Sequence, residues 1–252
     1  MPRASRLLFR IARLLFGLSL PVCLAGAEEF ERVESSGKHF TVCRVDLDRE
    51  RLELFWKSDS GVTFKSFATL DRWLRVRERK LVFAMNAGMY HGDFSPVGLY
   101  VENGRELSPL NLQNNDGNFF LKPNGVFVIT AHGARVIESS QLAGMKDKPL
   151  LATQSGPMLV IDRQIHPKFS ADSTSRLFRN GVGVVSPKQV VFAISDEPVN
   201  FHEFALMFRD RLHCNNALFL DGTISSLFSG KLNRADKKMD LGPIIGIAAP
   251  LK

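Results

Sequence analysis

Cysteine is scarce in this sequence: Cys23, Cys43 and Cys214 stand among 252 residues, and no two are close enough along the chain to form a metal-binding pair. The six histidines, His39, His91, His132, His166, His202 and His213, show no ligand spacing. In HEFAL, His202 lacks a second histidine one helical turn on. Glycine signatures are incomplete too. SGKL is not a phosphate loop, and GVGVVS has no third glycine for a dinucleotide fingerprint. Ser155 in QSGPM has no glycine two residues before it, which a nucleophile elbow requires. These gaps argue against zinc, nucleotide and flavin chemistry, and no metal or cofactor is expected. Internal repeats, low-complexity stretches and linkers long enough to divide the chain are also missing. With 44% hydrophobic residues, the chain can bury a sizeable core, and one domain is expected.

One long apolar run does occur, at the start. Residues 1–27 carry Arg3, Arg6, Arg10 and Arg13 and no acid, then LLFGLSLPVCLAGA, ending on Ala25-Gly26-Ala27 before Glu28-Glu29. That is the layout of a secretory signal peptide. The run is shorter than the roughly 20 residues of a spanning helix and holds Pro21, so no stable membrane span is expected after cleavage. Leu20-Pro21-Val22 ahead of Cys23 lack the small residues that lipid attachment favours. The expected mature domain is residues 28–252, exported to the periplasm or outside the cell. Four of the 33 basic residues belong to the leader, so 29 remain against 26 acidic ones, which is no nucleic-acid footprint. The clusters RVRERK (75–80) and RADKK (234–238) are broken by acids and read as a helix face and a surface loop. Cys43 and Cys214 remain in an oxidising compartment, where they are either paired or buried as two thiols.

Short β-rich runs separated by Gly, Asn and Pro dominate the mature chain. Phe40 to Asp46 and Leu52 to Trp56, joined by LDRE, predict an N-terminal hairpin. Further strands are expected over Leu81 to Met85, Gly98 to Val101, Val126 to Thr130, Met158 to Ile161, Val182 to Val185, Val190 to Ile194, Ala217 to Leu220 and Ile244 to Ala248. Helical spacing occurs twice. Phe67, Leu70, Trp73 and Leu74 form one apolar stripe; Phe201, Phe204, Ala205, Phe208 and Leu212 form another, behind a cap of Asn200 with Glu203. Strands outnumber helices without alternating with them, so the fold class expected is α+β: a mixed, largely antiparallel β-sheet core with a few packed helices in a single domain.

The chemistry is expected at polar turns that follow apolar runs: FAMNAGMYHGDFSPVGLYVENG, ATQSGPMLV, RLFRNGVGVV and LFLDGTISSLF. Glycine beside a polar residue allows a tight turn that exposes backbone N–H groups and aims a side chain into a cleft. The same residues, Asn86, Ser155 and Asp221, also serve turns that do nothing but satisfy their own backbone. Both readings stand for any single turn.

Taken together and in order, the turns resemble the phosphodiester glycosidase family, over roughly Phe40 to Pro250. The family's Asn-x-Gly-aromatic turn is represented by NAGMY (86–90), its Ser-Gly-Pro turn by SGP (155–157), its Arg before a glycine-bearing strand by RNGVG (179–183), and its Leu-Asp-Gly turn by LDGTIS (220–225). PVGLY, GNFF and PNGVF are similar to segments of its bacterial exported branch. Two departures fall at the expected site: Gly222-Thr223-Ile224 where the family has three glycines, and Asn180-Gly181 where it has Thr-Ala. The resemblance implies hydrolysis of a sugar-1-phosphodiester by splitting the glycosidic C–O bond, with an exported glycan phosphodiester as the partner. It implies Asp221 as the carboxylate at the anomeric carbon and Arg179 as the two-donor contact to phosphate. Asp93 is preferred as second carboxylate over Asp196, Glu197 and Glu203. Asn86, Gly88, Ser155, Gly156, Gly222 and Ser225 are expected to hold substrate. The alternative is a non-catalytic envelope protein that binds phosphorylated glycans in the same cleft.

Overall fold

The computed structural model describes residues 28–251; the expected signal peptide over residues 1–27 lies outside the described residues. In chain order the strands are β1 (Glu29–Ser35), β2 (Lys38–Asp46), β3 (Glu53–Phe55), β4 (Arg79–Asn86), β5 (Tyr100–Glu102), β6 (Arg105–Ser108), β7 (Gly125–Thr130), β8 (Gly133–Glu138), β9 (Leu151–Ser155), β10 (Met158–Ile161), β11 (Gln164–Ile165), β12 (Asn180–Ser186), β13 (Gln189–Ser195), β14 (Asn216–Phe219), β15 (Leu227–Ser229), β16 (Arg234–Ala235) and β17 (Ile244–Pro250). The α-helices are α1 (Phe67–Arg75) and α2 (Phe201–Leu206). Three sheets result, ordered β1-β2-β13-β12-β14-β10-β11, β16-β15-β4-β17-β3 and β6-β5-β9-β7-β8.

The central core lies where these sheets face one another, with Val45, Leu54, Phe83, Met85, Tyr100, Phe127, Val182, Phe192, Leu218 and Ile245 in one cluster. A second layer covers the other face of the large sheet. Val190, Phe192 and Ile194 of β13 point to the central core, while Val191 and Ala193 point to α2. Burial on both faces explains why that strand is an unbroken apolar run. The capping box expected at α2 is present: Asn200 Oδ1 accepts from the Glu203 N–H (2.8 Å), and the Asn200 N–H donates to Glu203 Oε2 (3.0 Å). Beyond Leu206 the helix widens to a π-turn over Met207–Arg211. A Cβ on Gly181 or Gly183 would stand 3.2 Å from the Phe204 ring or 2.9 Å from the Phe208 ring, so the glycines of GVG let this helix lie flat on β12. On the second sheet, α1 packs Phe67, Leu70 and Leu74 against Leu81, Ala84, Ile224 and Ile244.

Two expectations are corrected. The sheets are not mixed, since every pairing among the described strands is antiparallel. The chain is mainly β with a few helices. The N-terminal hairpin is β1 with β2, turning at Ser36-Gly37, and β2 is flanked on its other edge by β13. Leu52 to Trp56 instead enters the second sheet, where β3 pairs with β17. Of the two alternatives left open for Cys43 and Cys214, the structure shows the second: both are buried free thiols. Cys43 belongs to the central core and Cys214 to the layer under α2, so the large sheet separates them. Burial pushes both thiols up, that of Cys214 to about 12. The native chain from Glu28 should therefore release no colour from Ellman's reagent, and two equivalents only after denaturation. A native chain that stays thiol-free after denaturation without reductant would show the pair oxidised.

Candidate functional site

The ends of β4 and β12 meet the turn that leaves β14, and two asparagines lock them together. Asn86 and Asn180, both fully buried, bond reciprocally: Asn86 Nδ2 donates to Asn180 Oδ1 (3.1 Å), and Asn180 Nδ2 donates to the Asn86 carbonyl (3.1 Å). Asn180 Oδ1 also accepts the Asp221 N–H (3.2 Å) and the Ser225 hydroxyl (3.3 Å). The Asp221 carbonyl accepts from Asn86 Nδ2 (3.2 Å) and Ser225 Oγ (3.0 Å). Asn86 Oδ1 accepts the Ser226 N–H (3.0 Å). Asp221 is thus gripped at both its N–H and its carbonyl, which leaves its carboxylate the part free to do chemistry.

The other sequence-selected residues brace this turn. Ser155 donates to the Leu220 carbonyl (2.6 Å), tying the end of β9 to the residue before Asp221. Thr153 donates to the Ala87 carbonyl (2.9 Å), and Gly88 lies against the same strand, where a Cβ would reach Thr153 Oγ1 at 3.0 Å. Gly156 sits against the carbonyl of Phe119, and Gly222 against that of Phe178. Asn86, Ser155 and Ser225 were expected to touch substrate, but their polar atoms are spent on the protein itself. In this structure they position the turn. The Thr223-Ile224 departure also has a local reason: the Thr223 N–H donates to Asp221 Oδ1 (3.1 Å), and Ile224 fills the core under α1.

Burial raises the Asp221 carboxyl from 3.8 to about 6, with only the Thr223 N–H pulling it back. Tyr90, the aromatic residue of NAGMY, is its neighbour. Burial first, then the charges of Asp221 and Asp240, push its phenol up, and its hydroxyl donates to the Asp240 carbonyl (2.6 Å). Asp93 is not brought into this network. It is exposed and accepts the N–H and hydroxyl of Ser95 (3.0 and 2.6 Å), which caps its own turn. Its rivals are equally engaged: Asp196 with Thr41 and Arg234, Glu197 with Lys38 and His39, Glu203 with Asn200 and Arg176.

Arg179 is placed differently from the two-donor phosphate grip that was expected. Its guanidinium is buried beneath the start of α2, 3.7 Å from the Phe201 ring centroid. Nε donates to the Val199 carbonyl (2.9 Å) and Nη2 to that of Ser175 (3.1 Å), so the forked face is already used. Nη1 is buried without a partner. No carboxylate contributes to its basicity, which burial lowers to about 10, so it carries an uncompensated positive charge at neutral pH. Sequence reasoning overlooked Asn180, visible only as a departure from the family pattern, and Tyr90, present in the motif but not selected.

Comparisons with known proteins give the family and the fold. The sequence profile of the phosphodiester glycosidase family matches residues 79–248. The uncharacterized protein YigE of Escherichia coli (strain K12) is 33% identical over 186 residues, covering 73% of this chain and 72% of YigE. The catalytic domain of zebrafish N-acetylglucosamine-1-phosphodiester alpha-N-acetylglucosaminidase, auto-inhibited by its pro-peptide, superposes with a TM-score of 0.60 at 13% identity, covering 87% of this chain and 81% of that one. A hypothetical protein from Synechocystis does so at 0.53 and 14%, covering 88% and 62%. At those identities the two structures share the fold.

Two measurements check the geometry. Asn180→Ala strands the Asp221 N–H and the Asn86 amide in the interior, and should lower unfolding free energy by about 2–4 kcal/mol in urea titration; a loss below about 0.5 kcal/mol would contradict the network. Because Asp221 has a raised folded pKa, its protonated form favours folding, and that stability is lost as pH rises from about 4 to about 6. Asp221→Asn should thus be more stable than the parent at pH 7.5, by about 2 kcal/mol after allowing for solvent screening. Below pH 4 the two melting curves should coincide.

Proposed function

The chain belongs to the phosphodiester glycosidase family, and from that premise we propose that it hydrolyses a sugar-1-phosphodiester of an exported glycan or envelope polymer, outside the cytoplasm. The observation that carries this reading is the single fixed carboxylate of Asp221. Its backbone is clamped by Asn86, Asn180 and Ser225, and its side chain is held only by one N–H at the edge of a buried turn.

The bond to be broken joins the anomeric carbon to a phosphate oxygen. A phosphomonoester is a good leaving group, so protonation matters less than stabilising the positive charge that develops on the sugar. An ionised Asp221 beside the anomeric carbon does this, either by electrostatics or by forming a transient bond. The electron pair of the C–O bond leaves with the phosphate. Water then supplies hydroxyl to the anomeric carbon and releases its proton. Arg179, its donors engaged or covered, supports the strand entry that carries Asn180 and is given no contact with the phosphate. Partial burial keeps the site poorly solvated, which strengthens the electrostatic effect of Asp221. The exported setting rests on the layout of residues 1–27.

Incubating the chain from Glu28 with a panel of hexose- and N-acetylhexosamine-1-phosphodiesters, and following sugar and phosphomonoester by mass, tests the reading. Release of both should occur, should vanish in Asp221→Asn, and should fall off below about pH 6 as Asp221 takes up a proton. Binding of a sugar phosphate with no turnover by either protein would favour the non-catalytic envelope protein instead.

A further inference from the structure

The reaction needs a cation that a substrate can reach, and Arg179 is not one. The loop from Asp236 to Leu241 neighbours the Asp221 turn through Tyr90 and Phe178 and is tied down at both ends. At one end Asp236 makes two bonds with the Leu227 backbone, its N–H donating to the Leu227 carbonyl (3.0 Å) while its Oδ2 accepts the Leu227 N–H (3.0 Å). At the other the Leu241 N–H donates to the Lys65 carbonyl (2.8 Å), and the Asp240 carbonyl receives the Tyr90 hydroxyl (2.6 Å). Between these anchors Lys237, Lys238, Met239 and Asp240 are all exposed. Lys238 is held in one place: its Nζ lies 3.8 Å from the centroid of the Phe178 ring. The carbonyl of Phe178 accepts the Ser225 hydroxyl (3.3 Å) and abuts Gly222, the residue after Asp221. No carboxylate lies within ion-pair distance of Lys238 among the described residues. Lys65, on the Phe94 ring at 4.1 Å, offers a contrast because Asp240 is 3.9 Å from its ammonium.

We propose that Lys238, held over Phe178, is the substrate-binding cation that takes the phosphate of the diester at the mouth of the site. The proposal rests on the glycosidase reading and assigns the phosphate to a residue that composition alone marks as a solvated loop. An ammonium bound only to an aromatic face retains donors for an anion. Phe178, whose ring holds the ammonium, abuts Gly222, so the positive charge flanks the turn whose carboxylate serves the sugar, which matches the polarity of a sugar–phosphate bond. The consequence is selectivity by leaving group: anionic phosphodiesters should gain from Lys238, and neutral glycosides of the same sugar should not.

Affinity and turnover separate this proposal from the reading it rests on. Parent, Lys238→Ala, Lys238→Arg and Lys65→Ala chains, each starting at Glu28, are titrated with a sugar 1-phosphate by calorimetry. They are also assayed on a sugar-1-phosphodiester and on the nitrophenyl glycoside of that sugar. Lys238→Ala should weaken sugar-phosphate binding and raise KM for the diester about tenfold, the worth of one charge-assisted hydrogen bond. Its kcat should change little, and so should KM for the nitrophenyl glycoside. Lys238→Arg should restore most of the affinity, and Lys65→Ala should stay within about twofold of the parent, as expected when only a screened surface field is altered. Diester turnover with unchanged affinity in Lys238→Ala would overturn the role of Lys238 and leave the glycosidase reading intact. Equal losses in Lys65→Ala and Lys238→Ala would overturn it too, by showing a general field. A parent that neither binds the sugar phosphate nor cleaves the diester would overturn both.

Discussion

The reciprocal bond between Asn86 and Asn180 is the interaction on which the site depends. It joins the end of β4, in one sheet, to the start of β12, in another, at a point from which water is excluded. A buried amide pair of this kind tolerates little movement, because each unpaired donor or acceptor would cost on the order of 1–3 kcal/mol. Its spare acceptor capacity then fixes the N–H of Asp221, and its spare donor fixes the Asp221 carbonyl. The direction of one carboxylate is therefore set by contacts from strands more than 90 residues away in sequence from each other.

Most of the polar residues around the turn work for the protein, and few of them are left to work on a ligand. Ser155, Thr153, Ser225 and Ser226 each donate to a carbonyl within this region. That division of labour is what a preorganised site requires, since groups already satisfied need not rearrange when charge develops. Groups left with capacity include the Asp221 carboxylate, the ammonium of Lys238 and the covered Nη1 of Arg179. Arg179 also closes a stack that runs from His166 through Phe169 and Phe201 to its guanidinium, with successive separations of 4.6, 4.9 and 3.7 Å. The stack holds the segment before β12 against α2, and with it the strand entry that carries Asn180.

Much of this was legible in the sequence, for reasons that differ by element. Both helices were visible because their apolar stripes recur at helical spacing, and the Asn200–Glu203 cap follows from chemistry local to four residues. β13 was visible as an unbroken apolar run because both its faces are buried. β1 was not, because an edge strand with the pattern EFERVES shows mostly polar side chains. The false hairpin between β2 and β3 arose because strand pairing is a long-range choice that two neighbouring β-rich runs do not determine. In the site, the order of the turns identified the family. The roles of Asn86, Ser155 and Arg179 were not legible, because whether a polar atom faces a ligand or a carbonyl depends on which distant strand arrives beside it.

The central claim is that the turn after β14 holds a sugar at Asp221 with its phosphate towards the loop bearing Lys238. A crystal structure of Asp221→Asn bound to an intact sugar-1-phosphodiester tests it most directly. The account predicts the anomeric carbon packed against the side chain at position 221, and phosphate oxygens within hydrogen-bond distance of Lys238 Nζ. A diester seated elsewhere, for example in the cavity of about 410 Å³ lined by Trp56, His91 and Asn111, would contradict it.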